Sequence, residues 1–188
     1  MATPAPSLKK FLADATARWP TRSRASDGIM GDPAHQARKS DHNLGNAADL
    51  TDDPANGVDC AVLSRQVISD PRVTYVIFNR EIYRTYKPHL GWAAYTGSNP
   101  HRSHMHVSIK PEARNDLSPW PWSAEAVVKR GDRGLQVREI QLKLRIKADS
   151  VFGSQTESAV KEFQATHGLK ADGMVGPLTR AALFEGEG

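Results

Sequence analysis

The chain has 188 residues, a formal net charge of +4, 39% hydrophobic and 24% charged residues. These values allow one domain or two small ones and exclude both disorder and a large multidomain machine. No window approaches the roughly 18 uninterrupted apolar residues of a membrane span, and the single cysteine, Cys60, excludes an intrachain disulfide and a thiolate metal cage.

Lys9, Lys10 and Asp14 fall where a secretion signal needs its apolar stretch, so a cytoplasmic origin is expected. Residues 7–18 read as a helix. Basic residues are scattered among acids, so the positive charge predicts anionic partners in general and no nucleic acid. Residues 59–69 read as a second helix, with Asp59 as cap, Asp70-Pro71 as stop and Cys60 as a small buried hydrophobe. Val73 to Phe78 is dense in β-branched and aromatic residues, Asn79-Arg80 can turn, and Ile82 to Tyr86 can return as a partner strand. An antiparallel sheet with flanking helices is predicted, hence an α+β fold.

Residues 104–109, His-Met-His-Val-Ser-Ile, alternate with period two. His104, His106 and Ser108 therefore share one face of a strand, and Met105, Val107 and Ile109 form the other, apolar face. Upstream, Ser40-Asp41-His42-Asn43-Leu44-Gly45-Asn46-Ala47-Ala48-Asp49 joins a histidine and an aspartate across an Asn/Gly turn, followed by small residues that read as a strand. Such a turn can fold His42 back toward Asp49. With His106 they make the three imidazole and carboxylate ligands that a catalytic zinc site uses while leaving a fourth position open. A turn-capping His42 and a surface Asp49 are the plain alternative.

Prolines at 111, 119 and 121 bar regular structure in 111–124. The expected domains are 1–112 and 125–188, with a Pro/Trp linker over 113–124. The second domain repeats itself at an offset of 23. Ala148-Asp149-Ser150-Val151-Phe152-Gly153 with Thr156, Ala159 and Val160 matches Ala171-Asp172-Gly173-Met174-Val175-Gly176 with Thr179, Ala182 and Leu183. Each copy reads as a turn, a dip into the core and a helix, and three short helices around a small core are predicted.

Over 127–184 these positions, with Lys129-Arg130-Gly131-Asp132, Gln141 and Gln164, resemble the three-helix peptidoglycan-binding domain of cell-wall hydrolases. The motif Ser40-x-His42-x-x-Gly45-x-Ala47-x-Asp49 with His104-x-His106 resembles the zinc peptidases grouped as lysostaphin, D-Ala-D-Ala peptidases and the sonic hedgehog amino domain (peptidase M15-like). That resemblance implies His42, Asp49 and His106 as Zn2+ ligands and His104 beside the attacking water. Many relatives carry Glu three residues before the last ligand, where Ser103 stands here. His101-x-x-His104-x-His106 is closer to the murein endopeptidase branch, with His101 assisting His104. A shifted frame, with His104 as ligand and His101 as base, stays open.

Arg22, Arg24 or Arg38 can serve the oxyanion, Asp41 or Asp52 can orient a ligand imidazole, and Trp92 and Tyr95 can line a groove or simply pack. The resemblances together imply a bacteriophage endolysin: a monomeric metallopeptidase held in the host cytoplasm until release, without inserting into membrane. It would cut an L-alanyl-D-glutamate or D-alanyl-diaminopimelate amide of bacterial peptidoglycan. The rival expectations are a D,D-carboxypeptidase and a non-catalytic wall-binding protein with a structural zinc.

Overall fold

The computed structural model describes residues 2–31, 39–123 and 126–185. The chain forms two compact units, Met1–Pro121 and Trp122–Gly188. No helix among the described residues is long and apolar enough to cross a membrane.

The first unit is α+β, as its patterning predicts. Helix α1 (Pro6–Arg18) starts on a proline, whose missing N–H costs nothing in a first turn. Strand β1 (Ala47–Thr51) and helix α2 (Cys60–Val67) follow, and the Asp59 carboxylate caps α2 by accepting from the N–H groups of Ala61 and Val62. Strands β2 (Val73–Phe78) and β3 (Glu81–Arg84) form the expected hairpin, turned by Asn79 and Arg80 with φ of 45° and 64°. Strands β4 (Trp92–Ala94) and β5 (His104–Ile109) complete the sheet.

The sheet is antiparallel throughout, in the order β1-β5-β2-β3-β4. The last strand is thus inserted between the first two. Alternation sends Leu50, Val76, Met105 and Val107 into a core completed by Leu8 and Phe11 of α1 and Leu63 and Val67 of α2, all at most 1% exposed. Cys60 is also fully buried, with its Sγ 3.6 Å from the Leu50 carbonyl, and burial pushes its thiol pKa up.

The segment expected as a linker is packed in part. Pro111 opens a short 3₁₀ turn (Pro111–Ala113), so the prolines bar neither local structure at the start of the segment nor packing further on. Trp120 is fully buried within the first unit, edge-on to Phe11 at 4.9 Å and beneath the Arg72 guanidinium at 3.7 Å. Its indole N–H donates to the Ser7 carbonyl at 2.9 Å, which satisfies the one polar atom the ring buries. The unit boundary lies at Pro121–Trp122, inside the segment read as a linker.

The second unit contains α3 (Leu135–Lys143), α4 (Ser154–Thr166) and α5 (Pro177–Glu185) around Val128, Val137, Ile140, Phe152, Val160, Val175 and Leu183. Its repeat is physical as well as textual. The buried Gln141 amide donates to Asp149 Oδ1 (2.9 Å), the Val151 carbonyl (3.1 Å) and Thr156 Oγ1 (3.0 Å), and its carbonyl accepts from Ser150 N. Gln164 does the same, 23 residues on, with Asp172 (3.1 Å), Met174 (2.9 Å), Thr179 (3.0 Å) and Gly173 N. Each glutamine thereby stitches a helix to the turn that begins the next.

Candidate metal and acid-base site

Register builds the site. In the β1–β5 ladder Asp49 lies directly opposite His106, and Thr51 opposite His104. Opposed residues project from the same face, so the carboxylate and both imidazoles stand together on the face away from the apolar core. His42 arrives from a single 3₁₀ turn, Asp41–Leu44, capped by the Ser40 hydroxyl and ended by Gly45 in the left-handed region with φ of 66°. A Cβ at Gly45 would come within 2.2 Å of the Thr3 carbonyl oxygen, so only glycine closes this turn. Arg114 ties the turn down by donating to the Leu44 carbonyl at 2.8 Å, to Asn46 Oδ1, and to the Thr3 carbonyl at 2.6 Å.

Three candidate ligand atoms converge. His42 Nε2 lies 3.1 Å from His106 Nδ1 and 3.3 Å from Asp49 Oδ1, and His106 Nδ1 lies 3.1 Å from Asp49 Oδ1. Four ligands held tetrahedrally at about 2.0–2.1 Å are separated by about 3.3–3.4 Å, so this triangle has the dimensions of three corners around one metal ion. The tautomer of His42 suits that use. Its Nδ1 donates to the Ile29 carbonyl at 2.8 Å, which leaves a lone pair on Nε2.

His104 stands beside the triangle, with Nε2 buried, without a hydrogen-bond partner and 3.7 Å from Asp49 Oδ2. The ring of His101 lies 5.0 Å from that of His104 and 5.4 Å from that of His106. All five residues named from the sequence therefore meet. The short triangle uses His42, Asp49 and His106, whereas Asp49, His101 and His104 form a second group in which the Asp49 Oδ2–His104 Nε2 edge is longer, at 3.7 Å.

The electrostatics are consistent with these roles. Burial alone would raise the pKa of Asp49, but hydrogen bonds and charge from His106 and His42 hold it well below the usual carboxylate range. Burial opposes protonation of His42, and the adjacent Asp49 carboxylate outweighs it, for a net rise. For His101, burial and the neighbouring His106 and His104 act together and lower the pKa to about 4. Burial also lowers His104, against the pull of Asp49. Both shifts favour the neutral imidazole.

The surrounding candidates fare differently. Asp41 Oδ2 accepts from Tyr75 Oη (2.9 Å) and Ser108 Oγ (2.5 Å), not from an imidazole. It acts on the site through Tyr75, whose ring stacks on His106 at 5.5 Å. Asp52 accepts from Cys60 N at the start of α2 and orients no ligand. Arg22 is buried and committed to Asp27, Thr16 and the Ser23 carbonyl, so it supports the loop and is not aimed at a substrate. Arg24 is exposed, and Arg38 lies outside the described residues. Tyr95 packs edge-on against His101 at 5.4 Å, while Trp92 is covered by the Arg65 guanidinium at 3.7 Å. The Ile29 carbonyl, Tyr75 and Arg114 escape sequence reasoning, because a backbone acceptor carries no residue-type signal and the others read as strand or loop; alternation places Ser108 on the histidine face but gives it no role.

Residues 133–183 match a family described as "Putative peptidoglycan binding domain". Among solved structures, a peptidoglycan-binding protein from Clostridioides difficile, crystallised with glutamine hydroxamate, is 39% identical over 32% of this chain and 42% of its own, with a TM-score of 0.32. The SleB N-terminal domain is 35% identical over 33% of this chain and 93% of its own, and a Burkholderia AP3 phage endolysin is 43% identical over 34% and 26%, each with a TM-score of 0.32. The chain thus spans less than half of the first of these proteins. No protein of curated function matches it. The family described as "VldE, C-terminal domain" matches residues 4–106, more than half of the chain and the whole stretch from α1 to His106, and the chain belongs to that family.

Proposed function

We propose that the chain is a zinc-dependent peptidase of bacterial peptidoglycan, with its chemistry in the first unit and wall attachment in the second. The observation that carries this reading is the triangle of His42 Nε2, Asp49 Oδ1 and His106 Nδ1, with edges of 3.1–3.3 Å and the buried, unpartnered Nε2 of His104 beside it. The resemblance of the Ser40–Asp49 and His104–His106 motifs to zinc peptidases supports it, as does the family match at 133–183.

Zinc, when bound by these three residues, supplies a Lewis acid and lowers the pKa of a water to about 7. The chain's own groups do the rest. The Ile29 carbonyl fixes the His42 tautomer, and Tyr75, held by Asp41, fixes the plane of His106. His104 Nε2 takes a proton from the attacking water and returns it to the leaving amine. His101, packed on His104, keeps water and competing charge away from that ring. The substrate bond is an amide of the peptide stem or cross-link, L-alanyl-D-glutamate ahead of D-alanyl-diaminopimelate.

The test is digestion of purified peptidoglycan by the zinc-loaded chain. New amino termini should appear, vanish on chelation and return with zinc, and mass spectrometry of the fragments identifies the bond. New reducing sugar ends in place of new amines would overturn the reaction class.

A further inference from the structure

Asp49 has imidazoles on both sides of its carboxylate. Oδ1 is shared with His42 and His106, while Oδ2 faces His104 Nε2 at 3.7 Å. Beyond His104 stands His101, only 7% exposed and with a buried Nδ1 that has no partner. Its ring is placed there by an unusual backbone, with φ of 48°. His101 N donates to Asn99 Oδ1 (3.0 Å), and the carbonyls of His101 and Pro100 accept from Asn79 N (2.8 Å) and Arg80 N (2.9 Å) of the β2–β3 turn. A non-glycine residue fixed in this region reflects a local demand that overrides its own preference. Here the result is two neighbouring imidazoles with unpartnered buried nitrogens, next to a carboxylate oxygen that the first triangle leaves over.

We propose that Asp49 bridges two cation sites: a tight one made of His42, Asp49 and His106, and a weaker one made of Asp49, His101 and His104. The second takes a divalent transition-metal ion such as zinc, and its occupation blocks His104, so that excess zinc inhibits. It is weaker for two reasons. The Asp49 Oδ2–His104 Nε2 separation of 3.7 Å exceeds the about 3.3–3.4 Å between ligands held tetrahedrally at about 2.0–2.1 Å, so this edge must close in before both atoms can bind. Two ions on one carboxylate also sit about 3.5–4 Å apart and repel each other. Inhibition rests on the proton-transfer role proposed for His104, but the second site itself does not.

Equilibrium dialysis of the full chain against buffered zinc, with bound metal measured by mass spectrometry, tests the stoichiometry. One ion should bind at low free zinc and a second at concentrations at least tenfold higher. His101→Ala and His104→Ala should each stop at one ion with the tight affinity retained, while His106→Ala should lose the tight ion. In nitrogen NMR the imidazoles of His42 and His106 should move with the first equivalent, and those of His101 and His104 with the second. Wild-type activity on wall fragments should fall as the second ion enters. Saturation at one ion, or a second ion that survives in both His101→Ala and His104→Ala, overturns the proposal. Two ions on a protein that releases no new amines would uphold the second site and defeat the peptidase reading.

Discussion

Replacing Gln164 by Ala removes the side chain that joins α4 to the turn before α5. The side chain is 1% exposed, donates to three acceptors at 2.9–3.1 Å and accepts from Gly173 N at 2.9 Å. Gly173 N then loses its acceptor in a buried setting, a penalty of about 1–3 kcal/mol, and the Met174 carbonyl keeps only the long 3.5 Å bond from the Thr179 hydroxyl. With the cavity the truncation leaves, the expected loss is about 3–5 kcal/mol. In a unit of this size about 1 kcal/mol lowers Tm by about 4–8 °C, so the second unit should melt about 12–40 °C earlier.

Scanning calorimetry of the full chain reads this directly, and the metal stoichiometry of the first unit should not change. Gln141→Ala should cost about the same, since its bonds repeat those of Gln164 one for one. Gln164→Glu is the sharper control. It keeps the shape but turns an oxygen toward the Asp172 carboxylate and the Met174 carbonyl. A Gln164→Glu chain as stable as wild type at pH 7 would refute the account of the repeat as a hydrogen-bonded stitch.

Three further outcomes follow from the first unit. His106→Ala should lose tight zinc and activity together, whereas His104→Ala should keep the tight zinc and lose about 10²–10⁴ in rate, the range for general acid-base catalysis; zinc analysis beside fragment-release rates separates the two, and the reverse pattern would vindicate the shifted frame. Burial opposes ionisation of Asp27, but hydrogen bonds from Arg22 and Thr51 overcome it and depress its pKa. Its stability contribution is therefore full above the unfolded value of about 3.9 and is lost as pH falls through the folded value. Asp27→Asn should destabilise the chain at pH 7 and flatten the acid limb of its urea-midpoint profile. Arg114→Ala should free the turn that carries His42 and weaken zinc binding measurably in competition with a chelator, with the sheet intact by circular dichroism.

What local chemistry decides was legible in the sequence. The β-branched run at 73–78, the Asn79-Arg80 turn, the Asp59 cap and the period-two alternation at 104–109 each act within a few residues, and each reappears at its expected place. The offset of 23 was equally legible, since a repeated structural unit repeats its Asp, Gly and Thr. What it could not contain is who stands next to whom. Alternation shows that His104 and His106 share a face, yet it does not show that β5 enters between β1 and β2, and that insertion alone sets Asp49 opposite His106. The same holds for the Ile29 carbonyl on His42, the Asp41–Tyr75 support of His106 and the burial of Trp120 within the first unit. These contacts join residues 13 to more than 100 positions apart. Only the closed packing of the chain fixes such distances, because no local preference acts between residues so far apart in sequence.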